Sequence, residues 1–163
     1  MNRKLLAIYL KDHLAGATAG LELARRVEAS NRSTEYGSFL AELVEEIALD
    51  RRALLDLMGR LGVGEDRVKN AVAWAGEKAG RLKLNGELFS YSPLSRLVEL
   101  EGLALGVQGK LAMWRSLRSL TDADERLAGF DLEEPIARAQ SQARRVEARR
   151  VRAAQEALAA DAS

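Results

Sequence analysis

Apolar residues recur every three or four positions along most of this chain, and the recurrence breaks only at a few polar turns. That spacing puts side chains on one stripe of an α-helix, so the pattern predicts an all-α protein. The clearest stretch runs from about Glu35 to Leu61, where Tyr36, Leu40, Leu43, Ile47, Asp50, Leu54, Leu57 and Leu61 alternate steps of four and three. Such alternation is the seam of a helix bundle, here with one carboxylate set into it. Ser33 or Thr34 is expected to cap this helix, and Gly62 and Gly64 to end it.

A first helix is expected from about Arg3 to Ala29. Leu6, Leu10, His13, Ala17, Gly20, Ala24 and Val27 form one stripe, and Leu5, Ile8, Asp12, Ala19 and Leu23 form a neighbouring one, which predicts broad burial. Its middle, Ala15 to Gly20, contains only small residues. Glycine inside a helix costs about 1 kcal/mol relative to alanine, so another backbone is expected to pass close by. A third helix starts at Ser92-Pro93, with serine as N-cap and proline in the first turn, and runs to about Leu120. Leu97, Leu100, Ala104, Val107, Leu111 and Trp114 form its stripe, while Gly102, Gly106 and Gly109 are expected to receive the small segment of the first helix. A fourth helix follows Asp131, with Glu134 completing a capping box and Pro135 in the first turn. Its inner stripe is Ile136, Ala139, Ala143, Val146, Arg150, Ala153 and Ala157.

Two connections remain. Thr121 to Phe130 is a short connector. Gly62 to Tyr91 is a long one, with a short helix expected from Asp66 to about Ala79 and a tight turn at Asn85-Gly86. Together these elements predict one domain over residues 1–163, an antiparallel four-helix bundle with a long, helix-containing crossover between helices two and three.

Composition narrows the chemistry. The chain has no cysteine, which excludes disulfides, thiolate metal sites and cysteine nucleophiles, and fits a cytoplasmic protein. The formal net charge of +1 gives no pull toward nucleic acid or an anionic membrane. The apolar run Leu5 to Leu10 is interrupted by Lys11, Asp12 and His13 too early for a secretory signal, and no run approaches a membrane span. Helix four is rich in arginine (Arg138, Arg144, Arg145, Arg149, Arg150, Arg152) but lacks the interleaved aromatics of a nucleic-acid surface. A solvated face bridged to the acidic second helix is the expected arrangement. No phosphate loop or serine-nucleophile turn is present.

The element order, together with Glu42, Glu45-Glu46, Leu49-Asp50-Arg51 and the glycine-ended helix at Leu61-Gly62, resembles the ferritin-like superfamily of rubrerythrin- and ferritin-type bundles. The resemblance covers nearly the whole chain as architecture, but its motif likeness is confined to helix two. It implies a carboxylate-rich metal centre built on two Glu-x-x-His motifs. Here Leu49 follows Glu46, and Arg150 follows Glu147, where that motif places histidine. The resemblance therefore implies a bundle with a degenerate ligand set and no intact di-metal centre, acting without a cofactor through binding or oligomer surfaces.

A carboxylate-ligated metal oxidoreductase is the first alternative. It would enlist Asp12, His13, Glu46, Asp50, Glu101 and Glu147, with Glu99 in reserve. A small-molecule-binding bundle is the second, with Arg81 to Tyr91 as a place for a ligand. Asp50, inside an apolar seam, is expected to be buried and paired with a basic side chain. Self-association as a homodimer is expected through the crossover, at Val68, Val72, Trp74 and Phe89.

Overall fold

The computed structural model describes residues 2–64 and 91–159, and all regular structure there is helical. The long helices are α1 (Arg3–Asn31), α2 (Gly37–Leu61) and α3 (Pro93–Arg118). After a 3-10 turn at Thr121–Ala123 come the single-turn α4 (Glu125–Ala128) and the long α5 (Glu133–Leu158), which is the expected fourth helix. The expected crossover helix, the Asn85-Gly86 turn and the dimer contacts Val68, Val72, Trp74 and Phe89 lie outside the described residues.

The helix ends follow local chemistry, with three departures from expectation. Ser92 Oγ accepts from the Ser95 N–H at 3.1 Å, and Pro93 opens α3 as the sequence indicates. Helix α1 continues to Asn31 because the Asn31 amide donates back to the Val27 carbonyl at 2.7 Å and sustains the last turn. Neither Ser33 nor Thr34 is the N-cap of α2. The Thr34 hydroxyl accepts from the Tyr36 N–H at 3.2 Å and shapes the preceding turn instead. Leu132 occupies the N-cap position of α5, and Asp131, one residue earlier, accepts from the N–H groups of Glu133 and Glu134 at 3.0 and 3.2 Å. Glu134 does not complete the box, because its carboxylate is drawn to Arg138 at 2.7 Å.

Two glycines carry conformational demands. Gly62 has φ +70°, and its N–H closes the end of α2. At Gly37 a Cβ would lie 2.5 Å from the Arg32 carbonyl oxygen, so the α1–α2 reversal is too tight for any other residue.

Cross-helix contacts fix the directions. Arg96 meets Glu156 near one end of α3 and α5, and Arg118 meets Glu133 near the other, so these helices run antiparallel. Asp50 meets Arg138 while Glu35 meets Arg152, so α2 and α5 do too. Helix α1 packs along both α2 and α3. The end of α2 lies by α4, where Arg126 donates to the Leu61 carbonyl at 3.1 Å. The start of α3 lies at the opposite end, where Arg96 donates to Asn31 at 2.7 Å. The connection between α2 and α3 therefore joins opposite ends of the molecule.

The apolar interior is in two parts. One surrounds Trp114, with Leu10, Leu14, Leu57, Leu117 and Leu127. The other surrounds Leu40 and Leu43, with Val27, Tyr36, Leu100 and Val146. The broad burial expected of α1 is not found, since Leu5 is 61% exposed and Ile8 45%. The first turns of that stripe are exposed, whereas Leu23 at its far end packs against α3. No described helix is long and apolar enough to cross a membrane.

Candidate functional site: a glycine-walled cavity over a buried ion network

The two apolar regions are separated by a charged layer. Asp50 lies in the α2 seam, where helical spacing forces it inward between Ile47 and Leu54, and it is only 2% exposed. An isolated buried carboxylate would be prohibitively desolvated, so partners are required. Arg138 Nε of α5 donates to Asp50 Oδ1 at 2.6 Å. The fully buried Gln142, one turn on, donates from Nε2 to Asp50 Oδ2 at 3.0 Å. Lys110 Nζ of α3 donates both to Asp50 Oδ2 and to the Gln142 side-chain oxygen. Two cations thus face one buried carboxylate, and the outer side of Arg138 is held by the exposed Glu134.

The electrostatics follow from this packing. Burial lowers the Lys110 pKa, and the Asp50 charge opposes that shift. Burial acts on Arg138 in the same direction, but its hydrogen bonds to Asp50 and Glu134 outweigh it and hold the guanidinium charged.

Beside Lys110 a recess between α1 and α3 opens toward solvent. On α3 the row Gly102, Gly106, Lys110, Trp114 repeats every four residues, as does Asp12, Gly16, Gly20 on α1. The expected close crossing of these segments does not occur. A Cβ built on Gly16, Gly20, Gly106 or Gly109 meets nothing within 4 Å, and only Gly102 has a neighbour, the Leu23 side chain at 3.1 Å. Gly16, Gly106 and Gly109 are solvent-exposed, so where their side chains are missing the surface between the two helices is open. The result is a cavity of about 220 Å³ with apolar walls that include Ile47, Leu54, Val107 and Met113. Asp50 and Lys110 line it, and so does Trp114, which is fully buried and whose indole N–H has no hydrogen-bond partner among the described residues. Arg51 also borders the cavity, with its Nε on the Thr18 hydroxyl at 3.0 Å.

Of the residues singled out in the sequence, Asp12, His13 and Asp50 reach this cavity. His13 packs edge-on against Tyr9, with centroids 4.5 Å apart, and burial lowers its pKa while Asp12 partly offsets the shift. The remaining carboxylates are dispersed into ion pairs. Glu46 meets Arg145, Glu101 lies 3.8 Å from Arg150, Glu147 meets Arg150 at 2.7 Å, and Glu99 meets Arg26 at 3.0 Å. Among the described residues, no group of three or more His, Asp or Glu side chains is placed to hold a metal ion. The donor set does not fit a di-metal pair, because an ammonium and a guanidinium take up the space around Asp50 that further anionic ligands would need.

Lys110 and Gln142 are the functional residues that sequence reasoning missed. The available signal was positional: Lys110 falls in the glycine row, four residues after Gly106 and four before Trp114. The arginine face of α5 is bridged to α2 as expected, with Arg145 on Glu46, and Arg152 meets Glu35 in the turn just before α2. No family model, curated protein or solved structure matches the chain.

Proposed function

We propose that this chain is a four-helix bundle of the ferritin-like type, in which an internal ion network takes the place of that family's metals. Its activity is the binding of a small, largely apolar molecule between α1 and α3. The connection joining opposite ends of α2 and α3 supports the architecture, because a single long crossover is the signature of that topology. The observation that carries the activity is the row of glycines whose missing side chains open onto Lys110 and Trp114. Each helical glycine costs about 1 kcal/mol relative to alanine, and at Gly16, Gly20, Gly106 and Gly109 no close helix contact offsets that cost. Small-molecule sites are concave and mainly apolar, with a few convergent polar groups, as this one is.

The alternative, a metal oxidoreductase using Asp12, His13, Glu46, Asp50, Glu101 and Glu147, has less support, since arginine pairing disperses most of that set. Thermal melts with an apolar probe test the proposal. Toluene near saturation should raise the melting temperature of the wild-type protein and leave Gly106→Leu, whose new side chain fills the cavity, unchanged. Equal shifts in both proteins, or none in either, would remove the cavity as a binding site.

A further inference from the structure

Resting on that binding role, we infer that the ligand is an apolar monocarboxylate, held with its carboxylate at Lys110 and its apolar body along the glycine wall. Three independent features converge on this class.

The first is charge. The buried layer has Lys110 and Arg138 against Asp50 alone, and Arg51 adds a further cation at the cavity wall. The other carboxylates nearby are Glu134 and Asp12, exposed and screened by water, and Glu46, which acts on Lys110 but is itself paired with Arg145. A ligand carrying one negative charge balances this interior, and one carrying a positive charge worsens it. The second is hydrogen bonding. Lys110 has three donors and spends them on two acceptors, Asp50 and Gln142. The Trp114 indole N–H, one helical turn further along α3, has no acceptor among the described residues. A buried unpaired donor is costly, and a carboxylate held at Lys110 would bring an acceptor to the side of the cavity that Trp114 lines. The third is shape. A closed apolar cavity of about 150 Å³ accepts benzene. The 220 Å³ found here leaves room for a ring or a short alkyl chain together with a carboxylate. A dianion such as inorganic phosphate fits poorly, because apolar walls leave most of its oxygens unsolvated.

Titration calorimetry on the intact chain at pH 7 decides the point, using phenylacetate and hexanoate against their uncharged amides, phenylacetamide and hexanamide. The acids should bind at least tenfold more tightly than the amides. Lys110→Met should erase that difference, and Gly106→Leu should abolish binding of all four. In spectra of the wild-type protein, phenylacetate should also move the Trp114 indole N–H resonance downfield, assigned with Trp114→Phe. If Lys110→Met does not fold, Lys110→Gln provides the same comparison with a polar side chain. Equal affinity for acid and amide, or tighter binding of phenethylamine than of phenylacetate, overturns the carboxylate assignment while the cavity remains a binding site. Acid binding that survives Gly106→Leu places the anion elsewhere and overturns it as well. If toluene fails together with all four probes, the binding role itself falls.

Discussion

Lys110 and Asp50, 60 residues apart in the chain, are joined by a hydrogen bond inside the protein, between its two apolar regions. Arg138 completes the arrangement on the other carboxylate oxygen. Removing one member of a buried pair strands the others, typically at a cost of about 3–5 kcal/mol. Asp50→Ala should therefore lose about that much stability in a denaturant melt. Replacing the pair together, Asp50→Leu with Lys110→Met, should recover part of the loss, because one buried cation goes with the anion. A loss of a few tenths for Asp50→Ala would mean that water reaches the layer.

The glycines separate by environment, and their substitutions should separate too. A Cβ at Gly106 meets open space, so Gly106→Leu should be neutral or stabilise by up to about 1 kcal/mol through helix propensity. At Gly37 the Arg32 carbonyl is in the way, so Gly37→Ala should cost about 1–3 kcal/mol. Destabilisation at Gly106 would show that α1 and α3 are closer than described.

A second polar node closes the far end of the molecule. The buried Asn31 donates to the Val27 carbonyl and to the Tyr91 hydroxyl, and accepts from Arg96, which also holds Glu156. Asn31→Leu leaves the Arg96 guanidinium short of an acceptor and should cost about 1–3 kcal/mol by the same melt. Tyr91→Phe removes a hydroxyl at the edge of this node and should cost less, about 0.5–1.5 kcal/mol.

His13 gives the protein a pH dependence of known sign. Its folded-state pKa lies below the ordinary value of 6.5, mainly through burial. The unfolded chain therefore holds the proton more strongly, so this contribution is complete above 6.5 and is lost as pH falls through the lowered value. Stability of the wild type should rise with pH across that window, and His13→Gln should flatten the rise. An unchanged profile would place the imidazole in water.

How much of this was legible in the sequence depended on contrast. Asp50 stood out because a charge interrupts the Leu43, Ile47, Leu54, Leu57 periodicity, and the interior placement follows from that alone. Lys110 offered no such contrast. A lysine among glycines reads as a solvated face, since long cationic side chains are normally exposed. Gln142 was hidden for a different reason. It lies between Ala139 and Val146 at inward spacing, but a neutral amide is unremarkable on a helix until a partner on another helix is known. The glycine rows were visible, yet small side chains permit either a tight crossing or a void. The rotation of α1 and α3 against each other decides between them, and it leaves Gly16, Gly106 and Gly109 exposed. Asn31 read as part of a polar turn because its reach to Arg96 spans 65 residues.

The charged layer also bears on which alignments of these helices are possible. Faces made of leucine and alanine are nearly interchangeable from one turn to the next, so helices packed through them alone can slip by a turn at modest cost. A slip of α5 along α2 would carry Arg138 and Gln142 away from Asp50 and set an apolar side chain against a bare buried carboxylate. The same slip of α3 would move Lys110 off its acceptors. One alignment satisfies every group and its neighbours strand at least one charge, so the layer acts as a key that fixes the helices' register.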